Sequence, residues 1–225
     1  MRRLLLTLFL VLAPGLASAE LEIFACEPEW AALADEIGGD LVNSYSATTA
    51  LQDPHYIQAR PSLIAKVRKA DLVICSGAQL EIGWLPALLQ KANNPKVSPG
   101  NDGYMEASRF VMRLDATANL DRAKGDIHPQ GNPHIQTDPH NIAAVARALG
   151  ERLAKIDVVN SDIYAKNLEQ FITKWEQAVS RWEDLAEPLR GKRAITHHKS
   201  WVYLLRWLGM EEVEHLEAIP GLPPT

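Results

Sequence analysis

Between residues 158 and 187 neither glycine nor proline interrupts the chain, and Tyr164, Leu168, Phe171, Trp175, Val179 and Trp182 recur at steps of three and four. That is the period of one helix face. A single helix over residues 158–189 would extend roughly 40 Å at about 1.5 Å per residue, enough to run along a whole small domain. Whatever else the chain folds into must be arranged around this rod.

Ahead of the rod, short apolar runs alternate with helical patterns. Residues 21–26 and 71–75 read as buried strands ending in Cys26 and Cys75, with a third strand at 41–47. Between them lie a helix at 28–37 closed by Gly38 and Gly39, and a helix at 63–69 capped by Ser62. Weaker helical patterns follow at 81–92 and 106–114, and a clear one at 141–153. After the rod come a strand at 193–197, a helix at 201–208 ended by Gly209 and a strand at 213–218. Strands separated by helices predict the α/β class with parallel sheets.

The first nineteen residues do not belong to this pattern. Arg2 and Arg3 precede an apolar run over residues 4–12, which leads into Ala17-Ser18-Ala19. Those are the parts of a cleaved secretory signal. The run is too short to cross about 30 Å of hydrocarbon, so a soluble periplasmic chain beginning near Glu20 is expected. Cys26 follows two acids, Glu20 and Glu22, and lacks the small-residue setting that lipid attachment needs.

With 23 Lys and Arg against 28 Asp and Glu, the formal charge is −5. An acidic chain without a basic run has no footprint for nucleic acid. Two cysteines in an oxidising compartment favour a bridge. If their strands are neighbours in a parallel sheet, at a spacing of about 4.8 Å, Cys26 and Cys75 fall within disulfide reach. The alternative is a pair of buried thiols.

Histidine carries the candidate chemistry. His55 follows the second strand. His128, His134 and His140 lie in a stretch that Pro129, Gly131, Pro133 and Pro139 keep from being helical, and His197 and His198 follow the strand after the rod. His215 stands alone. Loops at the carboxyl ends of parallel strands are where α/β proteins place ligands. Neutral imidazole suits zinc, whereas manganese draws mostly on oxygen. Taken singly, each of these histidines is more often a surface or capping residue than a ligand.

Taken in order, Asp53-Pro54-His55, Arg60-Pro61-Ser62, the strand ending at Cys75 with residues 77–81, Asn132-Pro133-His134, the rod, and Thr196-His197-His198-Lys199-Ser200-Trp201 resemble the periplasmic metal-binding receptors of zinc and manganese ABC importers. The resemblance covers residues 20–225. It implies two α/β lobes joined by one rigid helix, with the metal between them: a first lobe at 20–157, the linking helix at 158–189 and an incomplete second lobe at 190–225. It further implies zinc ligands at His55, His134 and His198 rather than His197, with manganese the lesser expectation. His128 and His140 have no counterpart and read as solvated loop residues, with a lesser alternative in which His128 helps gather metal. A fourth ligand, a carboxylate, is expected beyond Thr225, so the chain reads as truncated.

The function implied is a monomeric receptor without enzymatic activity that passes zinc to a membrane permease. Two alternatives stand beside it. Three histidines with an open position could serve an exported zinc hydrolase, and a truncated receptor could be a remnant without function.

Overall fold

The computed structural model describes residues 20–117, 128–217 and 221. The expected signal segment and residue 218 of the expected last strand lie outside them.

Four strands, β1 (Leu21–Ala25), β2 (Val42–Ser46), β3 (Leu72–Cys75) and β4 (Tyr104–Glu106), form one sheet in the order β2-β1-β3-β4, every pair parallel. Side chains alternate across a strand, and here the alternation divides the core in two. Ile23, Ala25, Leu72 and Ile74 face Trp30, Leu33, Ile37, Val145, Leu149 and Phe171. Phe24, Cys26, Val73 and Cys75 face Leu63, Val67, Leu85 and Leu88. Helices α1 (Pro28–Gly38), α4 (Pro139–Ile156) and α5 (Ser161–Ala186) therefore supply one layer, and α2 (Pro61–Lys69) and α3 (Leu85–Ala92) the other. Parallel strands buried on both faces are nearly continuous apolar runs for this reason.

The rod forms as α5, with a short 3-10 turn at each end, Val158–Asn160 and Glu187–Leu189. Tyr164, Phe171, Ile172 and Val179 are buried along it. Asn167 Nδ2 donates to the Ile37 carbonyl at 3.0 Å, and Trp175 Nε1 donates to the Pro139 carbonyl at 2.8 Å. Those bonds fasten α5 to the ends of α1 and the start of α4. Beyond it β5 (Arg193–Thr196) and β6 (Glu211–His215) pair in parallel, with α6 (Val202–Leu208) between them in sequence. Trp175, Trp182, Leu185, Leu204 and Trp207 border an open apolar groove of about 460 Å³ between α5 and α6. Among the described residues no helix is long and apolar enough to cross a membrane.

Three local expectations give way. Residues 106–114 are not helical: β4 pairs with β3, Val73 opposite Tyr104, and a 3-10 turn at Ala107–Phe110 follows. Sheet pairing outweighs a weak helical period there. Ser62 does not cap α2, because Pro61 already occupies its first turn and Arg60 takes the cap position. Helix α3 starts at Leu85 rather than at residue 81, since Gly77, Ala78 and Gln79 take positive φ and the Glu81 carboxylate turns back to accept from the Gly77 N–H at 3.2 Å.

Cys26 and Cys75 end up at the carboxyl ends of the adjacent strands β1 and β3, bonded to one another with a Cα–Cα distance of 4.8 Å. Closing a loop of 49 residues removes chain entropy from the unfolded state equivalent to about 4 kcal/mol in the loop-closure account. Directly past the bridge lie two buried acids. Glu27 accepts from the Ser76 amide and hydroxyl at 3.1 and 2.9 Å, and the same hydroxyl accepts from Trp30 Nε1 at 2.9 Å. Burial, with the charges of Glu81 and Glu29, drives the Glu27 carboxyl well above the ordinary range. Burial likewise raises Glu81 to about 7, outweighing its hydrogen bonds from Gly77.

A carboxyl held protonated by the fold stabilises it only while the proton is bound. In the unfolded chain Glu81 ionises near 4.5, so folding stability should decline as pH rises from about 4.5 through about 7. Urea midpoints across that window should show the decline, and Glu81→Gln, which cannot ionise, should make it shallower, Glu27 still contributing in the same direction. An unaltered pH profile in the variant would contradict the assignment.

Candidate metal centre

His55 sits in the loop after β2. Thr48 Oγ1 donates to the Cys26 carbonyl at 2.8 Å, and Trp84 Nε1 to the Pro54 carbonyl at 2.8 Å, pinning the loop at its start and directly beside His55. Asp53 Oδ1 accepts from the His55 backbone N–H at 2.9 Å and lies 2.7 Å from His55 Nδ1. Burial works against the Asp53 charge, but the hydrogen bonds from His55 prevail and hold its pKa below the usual value. An ionised carboxylate can only accept. The proton of His55 therefore sits on Nδ1, and Nε2 is left with a lone pair.

His134 is placed by the segment before α4. Gly131 takes φ +112°, and a Cβ there would fall 2.7 Å from Arg113 Cβ, so the turn requires glycine. Asn132 Oδ1 accepts from the His134 N–H at 3.0 Å, while Asn132 Nδ2 donates to the Lys199 carbonyl at 2.7 Å. The Tyr203 hydroxyl donates to the Asn132 carbonyl at 2.7 Å and accepts from the Leu114 N–H at 3.0 Å. Asp138 then caps α4 by accepting from the His140 N–H. Among the described residues, His134 Nε2 is buried and has no hydrogen-bond partner. Burial first, and then the neighbouring His198, His55 and His128, push its pKa down to about 3. The ring is neutral at any physiological pH.

His198 follows β5. Its Nδ1 lies 2.7 Å from Glu217 Oε2, and the Glu217 side chain, only 8 % exposed, is drawn in beside β6 by its backbone N–H donating to the His197 carbonyl. Burial opposes the Glu217 charge, yet the hydrogen bonds from His198 and the Gly221 N–H leave its pKa lowered. His198 thus repeats the arrangement of His55, with a carboxylate on Nδ1 and Nε2 on the far side of the ring. Such carboxylate partners fix the tautomer and orientation of metal-binding imidazoles.

The three rings come together. Ring centroids lie 5.5 Å apart for His134 and His198, 6.0 Å for His55 and His134, and 6.2 Å for His55 and His198. Around a tetrahedral zinc with bonds of about 2.0 Å, imidazole centroids would stand about 5 Å apart. The cluster is within about 1 Å of that. His197 is on the outside, its side chain 61 % exposed against 21 % for His198. His140 pairs with Glu183 and His215 with Glu214, away from the cluster.

His128 departs from the expectation of a solvated loop residue. A turn closed by the Gly131 N–H donating to the His128 carbonyl carries it back, and its Nε2 lies 3.1 Å from His55 Nε2. The signal was present in the spacing. His128 and His134 flank Pro129-Gln130-Gly131-Asn132-Pro133, a run of turn residues able to fold two histidines onto one site. Among the described residues, ligand atoms of Cys26, Cys75 and Glu81 lie within 4.8 Å of one another, but the two sulfurs are bonded to each other and are not thiolate donors.

Imidazoles from the loop after β2, the segment before α4 and the loop after β5 thus stand beside one another. Residues 23–223 match the family described as zinc-uptake complex component A, periplasmic, and the chain belongs to that family. It is 28 % identical over 160 residues to the metal ABC transporter substrate-binding lipoprotein ScbA of Streptococcus cristatus, covering 70 % of this chain and 48 % of that protein. To the manganese ABC transporter substrate-binding lipoprotein PsaA of Streptococcus pneumoniae serotype 4 it is 24 % identical over 196 residues, 85 % of this chain and 60 % of PsaA. A crystal structure of ZnuA shares the fold with a TM-score of 0.75 at 23 % identity, covering 92 % of this chain and 73 % of that one. The chain spans about half the length of the curated relatives it matches.

Tyr203→Phe deletes one hydroxyl and leaves the Leu114 N–H and the Asn132 carbonyl without their partner. The expected loss, read by urea unfolding, is about 1–3 kcal/mol, with faster hydrogen exchange at Asn132 and His134. Unchanged stability and exchange would show that this hydroxyl does not tie the segment down.

Proposed function

We propose that this chain is an extracytoplasmic zinc receptor that holds the ion through His55, His134 and His198 and passes it to the membrane permease of an ABC importer. One observation carries the reading: two of the three imidazoles are fixed by carboxylates on Nδ1, and the third is buried and neutral, so three nitrogen lone pairs are available to a single cation. In this reading the lobes are residues 20–157 and 190–225, linked by the helix at 158–189, and the protein works as a monomer exported by the signal at 1–19.

Zinc is favoured over manganese because every proposed donor is an imidazole nitrogen. The two neighbouring carboxylates, Asp53 and Glu217, are engaged behind the rings, and manganese prefers oxygen. The family description names zinc uptake, whereas PsaA is named for manganese. Both ScbA and PsaA are named as substrate-binding components of transporters, which supports a receptor over an exported hydrolase.

Zinc and manganese titrations of the same preparation test the reading. Zinc should bind far more tightly. His55→Ala, His134→Ala and His198→Ala should each weaken zinc by more than the about 10- to 100-fold that loss of an outer partner costs, while His197→Ala should leave it unchanged. Equal affinity for manganese would overturn the choice of metal, and equal losses at His197 and His198 the choice of ligand.

A further inference from the structure

His128 and His55 point the same nitrogen at each other. In a four-coordinate zinc site with bonds of about 2.0 Å, two ligating nitrogens are separated by about 3.3 Å, the edge of the tetrahedron. The observed Nε2–Nε2 distance is 3.1 Å, with ring centroids 5.2 Å apart. The His55 ring that His128 faces is itself 6.0 Å from the His134 ring, centroid to centroid, so His128 stands at the edge of the cluster.

We infer that His128 is the fourth zinc ligand, completing a sphere of four imidazole nitrogens. The inference rests on the zinc-receptor reading and deepens it. The family resemblance assigns the fourth position to a carboxylate; the geometry of this chain gives it to the loop that leads into His134.

Proton placement agrees with that role. With the His55 proton held on Nδ1 by Asp53, a hydrogen bond between the two Nε2 atoms requires the proton to come from His128 Nε2. When an ion enters, that proton leaves Nε2 and the ring carries one on Nδ1 instead. His128 then offers a lone pair as a neutral ligand, and the charge of the site changes only by that of the ion.

Among the described residues, the carboxylates nearest the rings are committed elsewhere. Asp53 and Glu217 already satisfy the far sides of His55 and His198, and turning either inward would release its ring. A four-nitrogen sphere would also sharpen discrimination against manganese, since no oxygen donor would remain in it.

The test uses the full chain loaded with zinc, examined by X-ray absorption at the zinc edge, with cobalt(II) absorption as a second probe of coordination. The wild-type spectrum should require four imidazole nitrogens. His128→Ala should require three with an oxygen in the fourth place, shift the cobalt spectrum, and lose at least about 10-fold in zinc affinity with an unchanged circular dichroism spectrum. His128→Gln, which keeps the loop polar, should show the same loss. Three imidazoles in the wild type, or wild-type affinity and spectra in both variants, would overturn the inference while leaving the three-histidine receptor intact. Failure of the wild type to bind zinc, or undiminished binding by His134→Ala, would overturn the receptor reading itself and this inference with it.

Discussion

Asn132 bonds in two directions at once, and the site depends on it. Its carbonyl oxygen orients the His134 backbone, and its amide nitrogen reaches the Lys199 carbonyl in the loop that carries His198. The Tyr203 hydroxyl then closes over its backbone carbonyl. A segment before α4 and a segment after β5 are thereby held in fixed register, although 67 residues of chain separate Asn132 from Lys199. The long helix α5 makes this economical: a rigid element fixes how far apart its ends lie, so a few hydrogen bonds at one end are enough to align the two loops.

Within that frame the histidines are prepared rather than merely close. Asp53 and Glu217 play the same part on rings that come from different lobes of the proposed architecture. Asp53 is exposed and Glu217 buried, and the charge of each is sustained by the imidazole it holds. His134 is prepared by a different route, kept neutral by burial among other imidazoles. A cation would restore to His134 Nε2 the partner it lacks, which is the most economical account of a buried polar atom left unpaired.

Much of the frame was legible in the sequence because it rests on periodicity. The rod, the two-faced strands and the cysteine-ended runs at 21–26 and 71–75 each follow from patterns that packing on two sides of a sheet imposes. Residues 106–114 were misread because β4 is only three residues long and takes its conformation from pairing with β3, a contact no local pattern announces. Glu27 and Glu81 went unnoticed because nothing in the sequence distinguishes a buried acid from a solvated one. Family resemblance pointed to His55, His134 and His198, which the fold brings into one cluster; single histidines could not have been chosen by spacing alone. His128 has no counterpart in the family and was only the lesser candidate to help gather metal, yet the turn that returns it to His55 is encoded by the glycine three residues later.

The central claim is that the fold presents a zinc site before the ion arrives. Anomalous diffraction at the zinc edge from crystals of the chain grown without metal and then exposed to zinc tests it most directly. The account predicts one strong peak enclosed by His55, His134 and His198, with Asp53 and Glu217 still on the Nδ1 atoms and the Asn132 to Lys199 bond intact. A peak elsewhere, or a peak reached only after those loops separate and the carboxylates turn inward to bind the ion, would contradict it.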